Sequence, residues 1–345
     1  MQNELLSGRY YLPSDALARR RVESTLALKL ESRGYQEIVL PVLVGMGLGN
    51  LDGDPEYQRT SYAVLTREGN LMTLRSDFTM PVAALAARHL LPSEEPVRLY
   101  YSGSVFRAQK PGSGKQEEWR QVGAELIGTA STRDADVELL AMAAEGLLSL
   151  GLRDFCIGLS DAGLLSAILD AAGASGEGRR RIWEALAARD YVAYGQLVQD
   201  LGTAGGTAGG AAADATADTA SARRLLGSLP GKVGGVEVLS DLEGAGLASA
   251  AAGLASALKA LADRGLETYF KLDLGIAREF QYYTGIVFEG YAVGSADAVI
   301  GGGRYDGLLE RFGRSAPAAG FAIDVDSVVA AASMVSNSTN KEASL

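Results

Sequence analysis

A four-residue spacing of apolar side chains predicts the first helix of the chain. The spacing covers residues 18–30, and Ser14 and Gly34 have the residue types that begin and end helices. Residues 37–43 then have the composition of a short strand, but Pro41 interrupts the run because proline cannot donate a backbone hydrogen bond. This stretch is therefore predicted at a sheet edge or an interface rather than at the centre of a sheet.

The next segment alternates between strand and helix patterns. Residues 97–107 and 119–127 predict two strands that are joined by a polar turn. Residues 132–150 carry apolar side chains along one face of a helix, and residues 155–159 predict a further strand. Together with the first helix, these elements predict a β-rich unit over residues 1–161.

The composition changes near residue 162 to Ala-, Leu- and Arg-rich helical patterns. We predict a helical insertion over residues 162–266. Within it, residues 202–220 contain mostly Gly, Ala and Thr, and we expect a flexible loop there because large apolar side chains are missing.

The strand patterns return after the insertion, so the β-rich unit is expected to resume over residues 267–332. Residues 268–274 and 280–291 predict strands, and residues 301–307 have the composition of a glycine-rich turn. Residues 333–345 are predicted to form a disordered tail.

The overall composition narrows the classes of function. The chain has 345 residues, a formal net charge of −10, one cysteine and one histidine. Nucleic acid binds basic surfaces, so tRNA is not expected as a partner of this acidic chain. Cys156 alone cannot form an internal disulfide, and His89 alone gives no basis for a His/Cys metal site or a histidine-based catalytic triad. We therefore expect no metal and no cofactor.

The targeting signals of exported and membrane proteins are missing from the sequence pattern. The first residues lack a basic region followed by an apolar run, and no stretch approaches about eighteen strongly apolar residues without charges. The expectation is a cytoplasmic protein with no membrane contact.

The strand at residues 119–127 offers the clearest candidate site. Its alternation places Gln121 and Glu125 on one face, on either side of Gly123, which leaves room above the backbone. This arrangement fits the floor of a pocket, although an ordinary solvent-facing strand gives the same alternation. The pair Tyr282 and Tyr283 is typical of aromatic residues in a core or an interface.

Six segments of the chain occur in the same order as the signatures of class II aminoacyl-tRNA synthetases, and they most resemble those of the histidyl enzyme. They are GYQEIVLPVL at 34–43, LRSDFT at 74–79, VFRAQKPGSGKQEEWRQVGAELIG at 105–128, AREFQYYTGIVFEGY at 277–291, GGGRYDGL at 301–308 and GFAIDVDSV at 320–328. The resemblance covers about residues 10–160 and 265–330. It implies an α+β fold with an antiparallel sheet flanked by helices. It also implies that no anticodon-binding domain is present, because residues 333–345 are too few for a domain.

The resemblance implies that the histidine side of the family's pocket is kept. Gln121 and Glu125 match residues that face the amino group and the imidazole of histidine, and Arg278 matches the family's catalytic arginine. Asp77 replaces a glutamate and keeps its charge. The complete set of histidine-binding residues implied in this way is Asp77, Thr79, Arg107, Gln121, Glu125, Arg278, Tyr282, Tyr283 and Tyr305.

The nucleotide side of the pocket departs from the family pattern. Ser327 stands where the family has an arginine that grips the ATP phosphates, and Asp324 replaces a glycine nearby. Gln109, Glu117 and Gln281 replace a glutamate, a basic residue and an aspartate of the family. A phosphate site that loses a cation and gains carboxylates loses its electrostatic stabilisation, so amino-acid activation is not expected.

With these departures, the chain most resembles the regulatory subunits of ATP phosphoribosyltransferase, which are non-catalytic relatives of the histidyl enzyme. The resemblance implies a complex with a short-form ATP phosphoribosyltransferase catalytic subunit, which performs the first step of histidine biosynthesis. It also implies histidine as a feedback ligand, and a homodimer built through the helix at residues 14–33 and the strand that ends at Pro41. Two alternatives stay open: a truncated synthetase paralogue that activates an amino acid, and a stand-alone amino-acid sensor.

Overall fold

The computed structural model describes residues 9–49, 60–109, 112–129, 132–201, 217–243, 247–278 and 282–342. The helices are α1 (Pro13–Glu31), α2 (Met46–Gly49), α3 (Thr79–His89), α4 (Thr132–Ser149), α5 (Ala162–Ala171), α6 (Gly176–Ala187), α7 (Tyr191–Asp200), α8 (Ala217–Ser228), α9 (Ser240–Glu243), α10 (Ala248–Ala262) and α11 (Val325–Glu342). The strands are β1 (Gln36–Glu37), β2 (Leu43–Gly45), β3 (Ala63–Leu65), β4 (Leu71–Leu74), β5 (Val97–Phe106), β6 (Glu118–Ile127), β7 (Phe155–Asp161), β8 (Val233–Gly234), β9 (Phe270–Asp273), β10 (Ile286–Ala292), β11 (Ile300–Arg304) and β12 (Ala318–Asp324).

The described strands form one large sheet and one small sheet. The large sheet has the order β1-β5-β6-β12-β11-β10-β7-β9-β8, and the small sheet has the order β2-β4-β3. In the middle of this sheet, neighbouring strands pair antiparallel, in the order β5, β6, β12, β11, β10 and β7. Strand β1 runs parallel to β5, and β9 runs parallel to β7. The predicted sheet with flanking helices is confirmed, with parallel pairs added towards its two edges.

The two faces of the large sheet carry different side chains because successive residues of a strand point to opposite sides. On one face, Val122 and Leu126 of β6 and Ile323 of β12 are buried in a hydrophobic core with residues of α1 and α4. The other face carries Gln121, Gly123 and Glu125, and we call it the site face.

The helical insertion packs into the same core as the sheet. Buried side chains of α5, α7, α8 and α10 belong to one apolar cluster with those of α4 and β7. The predicted start of the insertion at residue 162 coincides with the start of α5. Of the predicted flexible loop, residues 202–216 lie outside the described residues, and residues 217–220 are the first turn of α8.

The predicted strand at residues 37–43 is wrong in its middle part. Only its ends join strands, β1 and β2, which belong to different sheets. Arg75 explains the break, because its guanidinium donates to the carbonyl oxygen of Leu40 over 2.7 Å and to that of Pro41 over 3.3 Å. A buried side chain therefore binds carbonyl groups that a strand neighbour would otherwise bind.

The glycine-rich segment predicted as a turn is a strand over its first part. Gly301, Gly302 and Gly303 all lie in β11, which pairs with β10 and β12. Side chains of neighbouring segments take the volume above these glycines: Arg278 lies against Gly301, and Tyr283 lies against Gly303. Close packing from both sides gives a glycine strand the order that its composition does not predict.

Two further element ends differ from the prediction. Strand β10 begins at Ile286, so residues 282–285 of the predicted strand lie before it, because the Thr284 N–H donates to the Arg304 carbonyl oxygen over 2.8 Å and not along a continuing strand. Residues 280 and 281 of that prediction lie outside the described residues. Helix α11 continues to Glu342 instead of ending near residue 332, and no glycine or proline interrupts it. No helix in the described ranges combines the length and the apolar character needed to cross a membrane.

Candidate ligand-binding site

Glu125 lies at the centre of a buried polar network on the site face. Its side chain is 1% exposed. Thr79 Oγ1 donates to Glu125 Oε1 over 3.0 Å, and the Tyr101 hydroxyl donates to the same oxygen over 3.3 Å. The Tyr305 hydroxyl donates to Glu125 Oε2. We call these four residues the Glu125 network. A carboxylate can accept about four hydrogen bonds, so this one has the capacity for one more.

The protonation of Glu125 is sensitive to its surroundings. Burial raises the pKa of Glu125 to about 7, although the hydroxyl groups of Tyr305, Thr79 and Tyr101 act in the opposite direction. The nearby carboxylate of Asp77 also contributes to this increase in pKa. A cationic or N–H donor group in the site would favour the charged form of Glu125 and would be bound by it.

The segment LRSDFT brings Thr79 to the network through two local anchors. Asp77 Oδ1 accepts the Met80 N–H over 2.9 Å, which fixes the first turn of α3. Arg75 Nε donates to the Ser104 carbonyl oxygen over 2.8 Å, which ties the segment to β5. The Asp77 carboxylate thus has a structural role in addition to its electrostatic effect on Glu125.

Glycines make the space in which the network is packed. Glu125 lies opposite Gly320 on β12, and Gly320 lies opposite Gly303 on β11. A Cβ atom on Gly320 would overlap Glu125 Oε2, and a Cβ atom on Gly123 would overlap the Tyr101 hydroxyl. The Tyr101 side chain thus fills the room above Gly123, and Gly123 itself does not line the cavity.

The predicted tyrosines form one aromatic cluster next to Glu125. The ring centroids of Tyr282 and Tyr283 are 4.7 Å apart, and those of Tyr282 and Tyr305 are 6.0 Å apart with an edge-on angle of 76°. Tyr282 and Tyr305 are buried. The cluster can pack against a flat ring as well as fill a core.

An open cavity of about 630 Å³ lies beside the Glu125 network. Of the predicted histidine-binding residues, Arg107, Gln121 and Arg278 line it. The remaining ones, namely Asp77, Thr79, Glu125, Tyr282, Tyr283 and Tyr305, lie in or beside the Glu125 network and are not part of the cavity lining. The structure thus separates the predicted set into a buried group and a group that faces the cavity.

The two cavity arginines that were predicted from sequence have defined contacts. Arg107 Nε donates to the Ser76 carbonyl oxygen over 2.9 Å, and its guanidinium carbon lies 5.3 Å from the centroid of the Trp119 ring. Arg278 Nη1 donates to Glu289 Oε1 over 2.7 Å. These contacts fix the guanidinium groups at two sides of the cavity, where either can bind a carboxylate.

The far end of the cavity is the altered nucleotide side of the family pattern. Asp324 Oδ1 accepts the Ser327 N–H over 2.7 Å at the start of α11, and burial raises the pKa of Asp324 to about 6. Asp326 Oδ1 lies 3.0 Å from Arg19 Nε and forms an ion pair with it. Where the family has an arginine, this end therefore presents a serine and two carboxylates. Of the other altered positions, Gln109 also lines the cavity, and Gln281 lies outside the described residues.

Four residues that sequence reasoning missed take part in the site. Tyr101 donates to Glu125, and Glu289 binds Arg278. Arg189 and Trp183 come from the insertion: Arg189 forms an ion pair with Glu289, and Trp183 Nε1 donates to the Arg278 carbonyl oxygen over 3.2 Å. Tyr101 lies opposite Gly123 in the predicted β5–β6 hairpin, and this register could have indicated its place in the site. The contacts of the insertion have no signal in the local pattern.

Comparisons with known proteins agree with this architecture. The family model of histidyl-tRNA synthetases matches residues 9–328. An ATP phosphoribosyltransferase regulatory subunit from Moorella thermoacetica is 37% identical over 324 residues, which cover 93% of this chain and 79% of that protein. The corresponding subunit from Desulforamulus reducens is 35% identical, with 93% and 76% covered.

Two solved structures show the same fold. One, from Bacillus halodurans C, is described as an ATP phosphoribosyltransferase regulatory subunit/histidyl-tRNA synthetase, with a TM-score of 0.79, 29% identity and coverage of 96% of this chain and 83% of that chain. The other is a histidine–tRNA ligase subunit from Alicyclobacillus acidocaldarius, with a TM-score of 0.75, 28% identity and coverage of 95% and 96%. The chain therefore belongs to the histidyl-tRNA synthetase family and, within it, to the group named as regulatory, not catalytic, subunits of ATP phosphoribosyltransferase.

Proposed function

We propose that this chain regulates an ATP phosphoribosyltransferase, in the first step of histidine biosynthesis, and that it binds histidine between the Glu125 network and Arg278. The observation that carries the proposal is the contrast between the two ends of the site. The amino-acid end keeps a satisfied, buried carboxylate and an arginine, whereas the nucleotide end carries Asp324, Asp326 and Ser327. A site that keeps only its amino-acid end is suited to binding an amino acid without catalysing a reaction.

Each polar group of histidine has a counterpart of suitable chemistry in the site. The imidazole N–H or the ammonium can donate to Glu125, and the Gln121 side chain can take part from the same face of β6. The carboxylate can bind the guanidinium of Arg278. The tyrosine cluster of Tyr282, Tyr283 and Tyr305 offers ring faces for the imidazole.

The partner of this chain in the proposal is a short-form ATP phosphoribosyltransferase catalytic subunit. The names of the relatives from Moorella thermoacetica and Desulforamulus reducens support a partner of this kind. Feedback then requires that histidine bind one state of the complex more tightly than another, typically by about 1–3 kcal/mol.

A homodimer is the proposed building block. Helix α1 exposes Leu17 and Leu28, and the segment that follows it exposes Val39 and Val42. Exposed large apolar side chains on this helix and on the segment that follows it are suited to a protein interface. The helix and the segment around Pro41 therefore support the predicted dimer contact.

The test is inhibition of a reconstituted complex by histidine. We expect Glu125→Ala to keep assembly with the catalytic subunit and to weaken inhibition about ten- to a hundredfold, since a hydrogen bond to a charged group contributes about 1.5–3 kcal/mol. Glu94→Ala removes an exposed carboxylate and serves as the control. If the inhibition curves of the wild type and Glu125→Ala coincide, histidine is sensed at another site.

A further inference from the structure

The carboxylate of Glu289 lies between two arginines that belong to different parts of the fold. Arg278 Nη1 of the core donates to its Oε1 over 2.7 Å. Arg189 Nη2 of the insertion donates to its Oε2, and the Tyr291 hydroxyl donates to the same oxygen over 2.7 Å. Glu289, Arg189, Arg278 and Tyr291 all line the cavity. The Glu289 carboxylate therefore already binds Arg278, which is the arginine that we propose for the ligand carboxylate.

Arg189 follows the end of α6 in a backbone conformation that favours glycine. Its φ angle is 56°, and no other non-glycine residue in the described part of the chain has a positive φ. The Asp190 N–H donates to the Ala185 carbonyl oxygen over 2.9 Å, which closes a helix end of the type where glycine usually stands. A long side chain is kept at this unfavourable position, and it binds Glu289 and lies 5.0 Å over the Tyr291 ring. This unusual backbone conformation indicates a function for the Arg189 guanidinium.

A side chain of α6 also contacts the backbone of Arg278. Trp183 Nε1 donates to the Arg278 carbonyl oxygen over 3.2 Å. Helix α6 is thus connected to Arg278 twice: by Trp183 to the main chain, and by Arg189 through Glu289 to the guanidinium. A change in the partners of Arg278 can therefore affect the insertion through both contacts.

We propose that Glu289 is an internal competitor that reports ligand binding to the insertion. In the structure it binds Arg278 through Oε1 and accepts from Arg189 and Tyr291 at Oε2. When a ligand carboxylate binds Arg278, two carboxylates meet at one guanidinium and repel each other, and Glu289 releases Arg278 while it keeps Arg189 and Tyr291, which leave its charge paired. This inference rests on the proposed function, because it takes the carboxylate of histidine as the group that binds Arg278.

The first test compares two probes, L-histidine and L-histidinol, which keeps the imidazole and the amine but lacks the carboxylate. Each is titrated by calorimetry into the full chain and into Glu289→Gln, which keeps the shape of the side chain and removes the competing charge. We expect Glu289→Gln to bind histidine about tenfold more tightly, within the range of one charge-assisted hydrogen bond, and to bind histidinol unchanged. Glu184→Gln, on the exposed side of α6, is the control for the change in net charge.

The second test follows Trp183, one of two tryptophans in the chain. In a Trp119→Phe background, histidine should change the fluorescence of Trp183, and histidinol should not. Arg189→Gly places glycine where the backbone favours it and should abolish the response while the chain stays folded. The inference is overturned if Glu289→Gln binds histidine no more tightly, or if Arg189→Gly keeps the response. If the unaltered chain binds no histidine, the proposed function fails first, and this inference fails with it.

Discussion

Gly320 lies directly against the carboxylate of Glu125. A Cβ atom at Gly320 would overlap Glu125 Oε2 and would come within 2.7 Å of the Ala124 carbonyl oxygen. The carboxylate is buried and held by three hydroxyl groups, and the carbonyl belongs to β6, so neither can move away at low cost. The glycine on β12 and the glutamate on β6 are therefore one structural unit.

Gly320→Ala should destabilise the fold by about 1–3 kcal/mol, the usual cost of overpacking a buried site, and should weaken histidine binding. Urea unfolding followed by circular dichroism measures the first effect. Gly195→Ala is the matched control, because a Cβ atom there meets nothing within 4 Å and alanine is favoured inside helix α7. In a Glu125→Ala background the cost of Gly320→Ala should shrink. An unchanged cost would show that Glu125 is not the group that is displaced.

Stability should fall as the pH rises through the titration of Glu125. Its pKa is raised from 4.5 to about 7, so the folded state binds this proton more tightly than the unfolded state. The stabilisation from the proton is present at low pH, is lost between about pH 4.5 and pH 7, and is constant above that range. A pKa raised from 4.5 to about 7 corresponds to roughly 3 kcal/mol, so the effect is measurable.

The measurement compares the free energy of unfolding of the wild type and of Glu125→Gln at about pH 5 and pH 8. Asp324 also has a raised pKa, so only the difference between the two proteins isolates Glu125. Glu125→Gln should lack the part of the pH dependence that Glu125 contributes. Identical pH profiles would mean that Glu125 stays ionised in the folded state.

The central hairpin and its helix could be predicted from sequence because their patterns are local and long. Strands β5 and β6 and helix α4 begin and end within about one residue of the predicted bounds. Alternation also placed Gln121 and Glu125 on one face. That face could not be recognised as buried from β6 alone, because Tyr101, Thr79 and Tyr305 cover it from other segments.

The parts that could not be predicted depend on contacts between distant residues. Arg189 and Glu289 are separated by 100 positions, and no periodicity links them. Strand β11 has no side-chain alternation over its glycines, so its strand structure depends on the pairing of β10 and β12. The break at Pro41 needed the buried guanidinium of Arg75, whose partners are backbone carbonyls.

The chain should catalyse no histidine-dependent ATP–pyrophosphate exchange. The reason is electrostatic, because the end of the cavity where phosphate groups would need cations carries Ser327 in place of the family arginine and the added carboxylate of Asp324. Ser327→Arg should not restore exchange while the Asp324 carboxylate remains. A working histidyl-tRNA synthetase, assayed in parallel, is the positive control. Turnover comparable to that control would contradict the assignment as a non-catalytic subunit.

Val39→Glu should convert the proposed homodimer to monomers. Val39 is 88% exposed in the segment after α1, and a charge buried in an interface is costly. Sedimentation velocity at micromolar concentration gives the result. Val192→Glu makes the same change at a position that is 86% exposed on α7 of the insertion and should leave the dimer intact. A monomeric wild type, or a dimeric Val39→Glu, would contradict this dimer contact.

Strand β11 supplies hydrogen bonds to the sheet but almost no volume to the site, and this has an evolutionary consequence. On the site face, the side chains that rest on its glycines come from elsewhere: Arg278 on Gly301 and Tyr283 on Gly303. Exchanges at these two positions can reshape the site while the ladder between β10 and β12 stays intact. Ligand preference within such a lineage can therefore drift through a few side chains, with the sheet beneath them unchanged.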